Sequence, residues 1–263
     1  MTGFPHTPDA ADVGVSIDKH VAVVEMRRPP HNFFDLELIR ALANAFEHLD
    51  ADASCRAIVL ASEGSAFCAG ANFSNRTVPT TQDGGTNPLY FEAIRLFACA
   101  KPVVAAVQGP AIGGGLGLAL VGDFRVTCAE GRFSANFTRL GFHPGFGLSV
   151  TLPRLIGPQN ASLLMYTGRR INGAEAVAMG LADRLVPQHE VRFEALNLAA
   201  ELAASAPLAL QSTRATLRQN LVTLLKEAVG HESRQQQLHF QTRDFKEGVK
   251  AMAERRQPQF EGR

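Results

Sequence analysis

Residues 101–123, KPVVAAVQGPAIGGGLGLALVGD, constrain this chain more than any other stretch. Val103–Val107 carries only small and β-branched side chains and reads as a strand buried on both faces. Gly113, Gly114 and Gly115 follow, and then a segment compatible with a helix. Glycines let a backbone approach a ligand closely and adopt unusual dihedrals. The first N–H groups of a helix have no acceptor of their own, and the aligned peptide dipoles add partial positive charge there. Such a turn can hold an anion or an oxyanion. It can equally serve tight helix–strand packing. A phosphate-binding P-loop is excluded because no G-K-[ST] follows, and Gly115, Gly117 and Leu120 break the dinucleotide pattern G-x-G-x-x-G.

A second small-residue turn, SEGSAFCAGANF (62–73), also follows a buried strand, Ala57–Ala61. Its backbone could supply a second donor to the same hole. Either turn alone reads as an ordinary loop. The two in this order, about forty residues apart, are far more specific.

The rest of the chain sets the frame. With 263 residues and 46% of them apolar, it can bury a sizeable core. A net charge of +1 with interspersed signs argues against a nucleic-acid partner. Cys55, Cys68, Cys99 and Cys128 form no C-x-x-C, so neither a zinc site nor a disulfide framework is expected, and a reducing, cytoplasmic setting fits. MTGFPHTPDAADVG lacks the charged and apolar regions of a signal peptide. The apolar run at 102–121 is broken by Gln108, Pro110 and glycines, so no membrane span is expected.

Val13–Ile17 and His20–Met26 read as a hairpin around Asp18-Lys19. Asp35 can cap a helix bearing Leu38, Ile39, Leu42, Phe46 and Leu49. Ser74–Thr86 reads as a mobile loop, Leu89–Ala98 as a helix and Phe124–Cys128 as a strand. Asn172 and Glu175 form a capping box, and Gly180 ends that helix. Helices are expected over Phe193–Ala206, Leu208–Val229, Glu232–Thr242 and Phe245–Arg255. Their sparse apolar residues suit packing on another surface, either another subunit or the same chain. Alternating strands and helices make the class α/β, with a core over 1–195 and a helical region over 196–263.

RPPHN (28–32), FCAGANF (67–73), the glycine segment, GFHPGFG (141–147), YTGRRINGAEAVAMGLAD (166–183) and EGVKAMAERRQPQF (247–260) together resemble the crotonase, or enoyl-CoA hydratase/isomerase, superfamily. The resemblance runs through most of the chain. It implies a spiral of ββα units with a C-terminal helical trimerisation region, assembled as a homotrimer or homohexamer. It implies an acyl-CoA thioester as ligand, with coenzyme A part of the substrate and no metal or redox cofactor. The thioester carbonyl would accept from the backbone N–H groups of Ala71 and Gly114. Pro30, His31 and Ala69 would lie near the adenine end, covered by Phe260 of a neighbouring subunit. Gly117, Phe137 and Phe142 would line the acyl pocket.

The resemblance also exposes a departure. The two glutamates that hold and activate water in the family's hydratases match Gly117 and Phe137. Neither can hold a water or move a proton. Phe137 implies a dry pocket suited to stacking on a flat acyl group. His143, on the 141–147 turn, is a candidate acid or base, or merely tolerated there. Tyr90, Glu92 and Arg95 are further candidates beside the loop. Asp123 reads as a structural cap, and Asn72 keeps turn chemistry without charge. An atypical hydratase, hydrolase, C–C lyase or isomerase is expected. The alternative is a non-catalytic acyl-CoA binder. A serine peptidase is a remote third reading, since Ser134 and Ser149 lack an evident His/Asp arrangement.

Overall fold

The computed structural model describes residues 12–71 and 86–263, so Asn72 and most of the Ser74–Thr86 loop lie outside the described residues. Strands β1 (Val13–Asp18) and β2 (Val21–Met26) form the expected hairpin. Its turn lies one residue later than the sequence suggests. Asp18 pairs with Val21, leaving Lys19 and His20 as the turn residues, at φ 44° and 74°. Two left-handed residues match the twist of adjoining strands, which is why a two-residue loop closes here. β2, β3 (Ala57–Ser62), β4 (Val103–Val107), β6 (Phe124–Thr127) and β9 (Arg184–Leu185) then run parallel, in the order β1-β2-β3-β4-β6-β9.

β3 and β4 send alternate residues to two different cores, as the period of two requires. Ile58, Leu60, Val103 and Ala105 face the larger core, together with α1 (Leu36–Ala51), whose Leu38, Leu42, Phe46 and Leu49 are fully buried. Asp35 caps α1 by accepting the Leu38 N–H at 2.9 Å. Ala57, Val59, Val104, Ala106 and Val126 face α6 (Val191–Ala203), which buries Val191, Ala195, Leu198 and Ala199 on them. α6 therefore covers the central strands β2, β3, β4 and β6, and the boundary placed at 195/196 falls inside it.

A second sheet, β5-β7-β8, combines β5 (Pro110–Ile112), β7 (Arg132–Ser134) and β8 (Ile171–Asn172). β5 leads into the short helix α3 (Gly114–Ala119). The chain continues through α4 (Leu148–Thr167), which breaks at Gly157, and through α5 (Gly173–Ala178), which carries the expected capping box. α2 (Pro88–Ala98) lies against α1.

The C-terminal segment forms α7 (Pro207–Leu217), α8 (Leu221–Phe240) and α9 (Arg243–Ala253). The break expected between Val229 and Glu232 is absent. It lies instead at Asn220, whose φ is 63°. α8 runs through Gly230 because its neighbours Val229, Glu232, Ser233 and Gln236 are buried on the core, and that packing outweighs glycine's poor helix propensity. Two anchors fix these helices to this same chain. Glu232 is fully buried and accepts from Gly147 N (2.8 Å), Ser149 N (3.1 Å) and Ser149 Oγ (2.6 Å), pinning the start of α4. Burial pushes the Glu232 carboxyl above its usual range, while these bonds act the other way. Asp123 is not a helix cap. It accepts the Val103 N–H (2.8 Å) and pairs with Arg214 (2.8 Å) and Arg218 (3.0 Å).

Removing Asp123 strands two partly buried guanidinium groups. Asp123→Ala should lower unfolding free energy by about 3 kcal/mol, seen as a lower urea midpoint. An unchanged midpoint would show that α7 is held by other contacts.

Candidate active site

The site is built where the loop after β3 meets the start of α3. Cys68 N donates to Pro110 O and Ile112 N donates to Cys68 O, both at 3.0 Å. The two backbones touch so closely that a Cβ at Gly115 would lie 2.1 Å from Cys68 O. Gly70 has φ +86°, and a Cβ there would lie 2.7 Å from Ile112 O and 3.7 Å from Gly114 N. Gly113 N donates to Ser134 O at 2.8 Å, which leaves Gly114 as the first residue of α3. Ala71 bridges to Phe34 in the parallel sense. No acceptor among the described residues takes the N–H of Ala71 or of Gly114. Both residues line one cavity of about 390 Å³. Two uncommitted backbone donors on such a wall can stabilise an oxygen as negative charge develops on it.

The rest of the cavity is largely apolar. Phe137 and Phe142 line it, buried and in edge-to-face contact with centroids 5.3 Å apart. Leu140 and Phe240 extend that wall. Phe34 and Phe146, which sequence reasoning did not single out, pack with centroids 5.6 Å apart beside Gly114. Gly117 does not line the cavity as expected. A Cβ there would lie 2.7 Å from Phe146 Cδ1 and 2.8 Å from its Cβ, so Phe146 covers this position.

No Asp or Glu among the described residues lines the cavity. Its polar groups are Asn87, Asn136, Tyr90, Gln236, His31, Arg132 and Arg170. Asn87, Asn136, Gln236, Arg132 and Arg170 were missed. Gln236 had no local signal, because it reaches the site from a helix 146 residues beyond Tyr90. Tyr90 donates its hydroxyl to Gln236 Oε1 at 2.7 Å, and Gln236 Nε2 donates to His143 O at 3.0 Å. Burial raises the Tyr90 phenol above its usual range, so it stays neutral.

Other candidates lie elsewhere. His143 lines a separate hollow with Ser149, Tyr166 and His239, and its Nδ1 sits 2.7 Å from Pro144 O. It is therefore not positioned as an acid or base for the main cavity. Glu92 pairs with Arg40 and Arg95 outside the cavity, and although burial opposes it, those partners hold its carboxyl below its usual range. Arg95 also holds Glu47. The Ser134 hydroxyl donates to Gly168 O and Arg169 O, and the Ser149 hydroxyl donates to Glu232, so neither is arranged as a peptidase nucleophile. Ala69 and His31 line the cavity mouth, whereas Pro30 is exposed and does not. Phe260 lies apart, in a polar surface hollow with Arg243, Glu247 and Arg256. Among the described residues no His/Cys/Asp/Glu cluster could hold a metal, and no helix is long and apolar enough to cross a membrane.

The overlap at Gly117 is testable. Gly117→Ala should destabilise by about 1–3 kcal/mol through overpacking, and by less in a Phe146→Ala background. Equal penalties in both backgrounds, by denaturant titration, would mean the ring does not occupy that space.

A sequence model of the family described as enoyl-CoA hydratase/isomerase matches residues 16–263. The chain is 33% identical to enoyl-CoA hydratase EchA19 of Mycobacterium tuberculosis, over 93% of this chain and 94% of that protein. It is 31% identical to the crotonyl-CoA hydratase of Syntrophomonas wolfei, over 92% and 95%. Among solved structures, an enoyl-CoA hydratase/isomerase from Pseudoalteromonas atlantica superposes with a TM-score of 0.85 at 29% identity, covering 95% of this chain and all of that one.

Proposed function

Because the chain belongs to the enoyl-CoA hydratase/isomerase family and has the crotonase fold, we propose that it holds the enolate charge of an acyl-CoA thioester between the N–H groups of Ala71 and Gly114 without performing ordinary hydration. One observation carries the reading: two uncommitted backbone donors open onto an apolar cavity whose described walls hold no carboxylate. Addition of water needs a group that positions the water and takes its proton. The two positions that match the hydratase glutamates are glycine and phenylalanine, at 117 and 137. Thioester hydrolysis, C–C cleavage or isomerisation at such a site would rest on the oxyanion contacts, with the proton, and for hydrolysis the attacking water, handled by the substrate itself or by a neutral side chain of the cavity.

Ala69 and His31 stand at the mouth as the side toward which the coenzyme A arm would leave. Pro30, and Phe260 of a neighbouring subunit, would complete that end only in an assembly. Exposed Leu208, Leu217 and Leu238 on the C-terminal helices favour a homotrimer or a dimer of trimers. The reading places the protein in the cytoplasm and asks for no metal or redox cofactor.

The test is mass-resolved chromatography of an acyl-CoA panel of short, long, aromatic and cyclic 2-enoyl thioesters after incubation with the protein. Free coenzyme A, a shortened acyl chain or a shifted double bond is the expected product. Ala71→Pro, which deletes one donor, should then lower turnover by about two to three orders of magnitude. Hydrated enoyl-CoA would overturn the exclusion of hydration. An untouched panel with thioester retained on the protein would make the chain a binder rather than an enzyme.

A further inference from the structure

The described cavity wall is apolar along Phe137, Leu140, Phe142 and Phe146, yet a buried polar pair interrupts it. Tyr90 is 7% exposed and Gln236 is 4% exposed, and both face this cavity. A hydrocarbon acyl chain would have no use for them, and burying polar groups against hydrocarbon is unfavourable. Their bonds are only partly spent. The Tyr90 proton goes to Gln236 Oε1, and one Gln236 amide proton goes to His143 O. The second bond fixes which end of the amide faces Tyr90, so the pair is held in one orientation. The Phe146 N–H lies toward the Tyr90 oxygen. At least one lone pair on Tyr90 Oη and one Gln236 N–H are left over.

The surroundings are shaped for this pair. A Cβ at Gly145 would lie 2.0 Å from Tyr90 Oη and 2.5 Å from Gln236 Nε2, so glycine there leaves the two polar ends room. Phe146 links the pair to the oxyanion wall. Its ring lies 3.5 Å from a Cβ built at Gly114, while its N–H faces Tyr90. The pair thus sits beside the acyl arm, not at the coenzyme A mouth.

Resting on the acyl-CoA reading above, we infer that Tyr90 and Gln236 form a polar subsite selecting an acyl group that itself carries a hydroxyl. Such a hydroxyl donates to the free lone pair of Tyr90 Oη and accepts from the free N–H of Gln236. One group answers both leftover valences. A carbonyl oxygen answers only the second, and a methylene answers neither. The hydroxyl is a standing part of the substrate, since the described walls offer no carboxylate to install it.

The experiment is calorimetric titration of the purified protein with coenzyme A, butanoyl-CoA, 3-hydroxybutanoyl-CoA and 4-hydroxybutanoyl-CoA. At least one hydroxylated thioester should bind about tenfold more tightly than butanoyl-CoA, the effect of one or two net hydrogen bonds. That ratio should collapse toward one in Tyr90→Phe and in Gln236→Met, each first shown to melt cooperatively. If Tyr90→Phe fails to fold, the ratio in Gln236→Met decides. Equal binding of butanoyl-CoA and both hydroxylated esters, or a preference that survives the variants, overturns the subsite. Absence of binding by every thioester and by coenzyme A overturns the acyl-CoA reading itself, an outcome distinct from loss of the preference.

Discussion

The structure depends on one contact between two backbones, the carbonyl of Cys68 against Gly115. The parallel bridge of Cys68 with Ala111 and the two 3.0 Å bonds around it tie the loop after β3 to the strand that feeds α3. No side chain can stand between them, because a Cβ at Gly115 would already overlap Cys68 O, and one at Gly70 would crowd Ile112 O. The glycines at 70 and 115 are thus demanded by close approach, and Gly70 by its left-handed φ as well. The same contact brings Ala71 and Gly114 to one cavity. The site's electrostatics are therefore supplied by peptide groups, which need no particular side chain and pay no reorganisation when charge develops.

What surrounds those donors decides which charges can be tolerated. Phe146 stands over Gly117, and Phe137 and Phe142 close the neighbouring wall. A carboxylate placed among these rings would lose most of its hydration, which raises its pKa and weakens it as an anionic partner for water. Reinstating one acid at 117 would also require moving Phe146. Glycine at 117 and the ring at 146 thus answer one another, while the ring at 137 packs on Phe142. Phe146 holds its place at φ 64°, a conformation that the surrounding contacts must impose on a bulky residue.

Features with a local or periodic cause were legible in the sequence. β3 and β4 announce burial on both faces, and their alternate residues do divide between two cores. Asn172 and Glu175 exchange bonds at 2.9 and 2.7 Å as the capping pattern requires. The glycine turn and the alanine loop meet because both follow neighbouring parallel strands. Features set by tertiary packing were not legible. His143 looks like an acid or base in its turn, but its ring stacks beside His239 in a separate hollow, with Nδ1 against Pro144 O. Gly230 looks like a helix break, but buried neighbours on either side carry α8 through it. Gln236 has no signature at all, since its role exists only once α8 lies beside Tyr90.

That last point changes what the C-terminal helices are. Read from sequence they form an appendage, yet α8 supplies Gln236 and Phe240 to the cavity wall. It is fixed there by Glu232 against the start of α4 and by Ser233 accepting the Asn87 N–H at 3.0 Å. Asp123, just before β6, holds α7 through two arginines and so sets where α8 begins. Whatever else covers their exposed leucines, these helices first complete the chain's own pocket. Any force that shifts α8 along α2 moves Gln236 relative to Tyr90 before it disturbs the glycine turn. Ala71 stands on the loop after β3 and Gly114 opens α3, whereas Tyr90 and Gln236 stand on α2 and α8. On the proposed reading the reaction type rests with the first pair and the substrate preference with the second, so a change on α8 can alter the preference and leave the backbone donors in place.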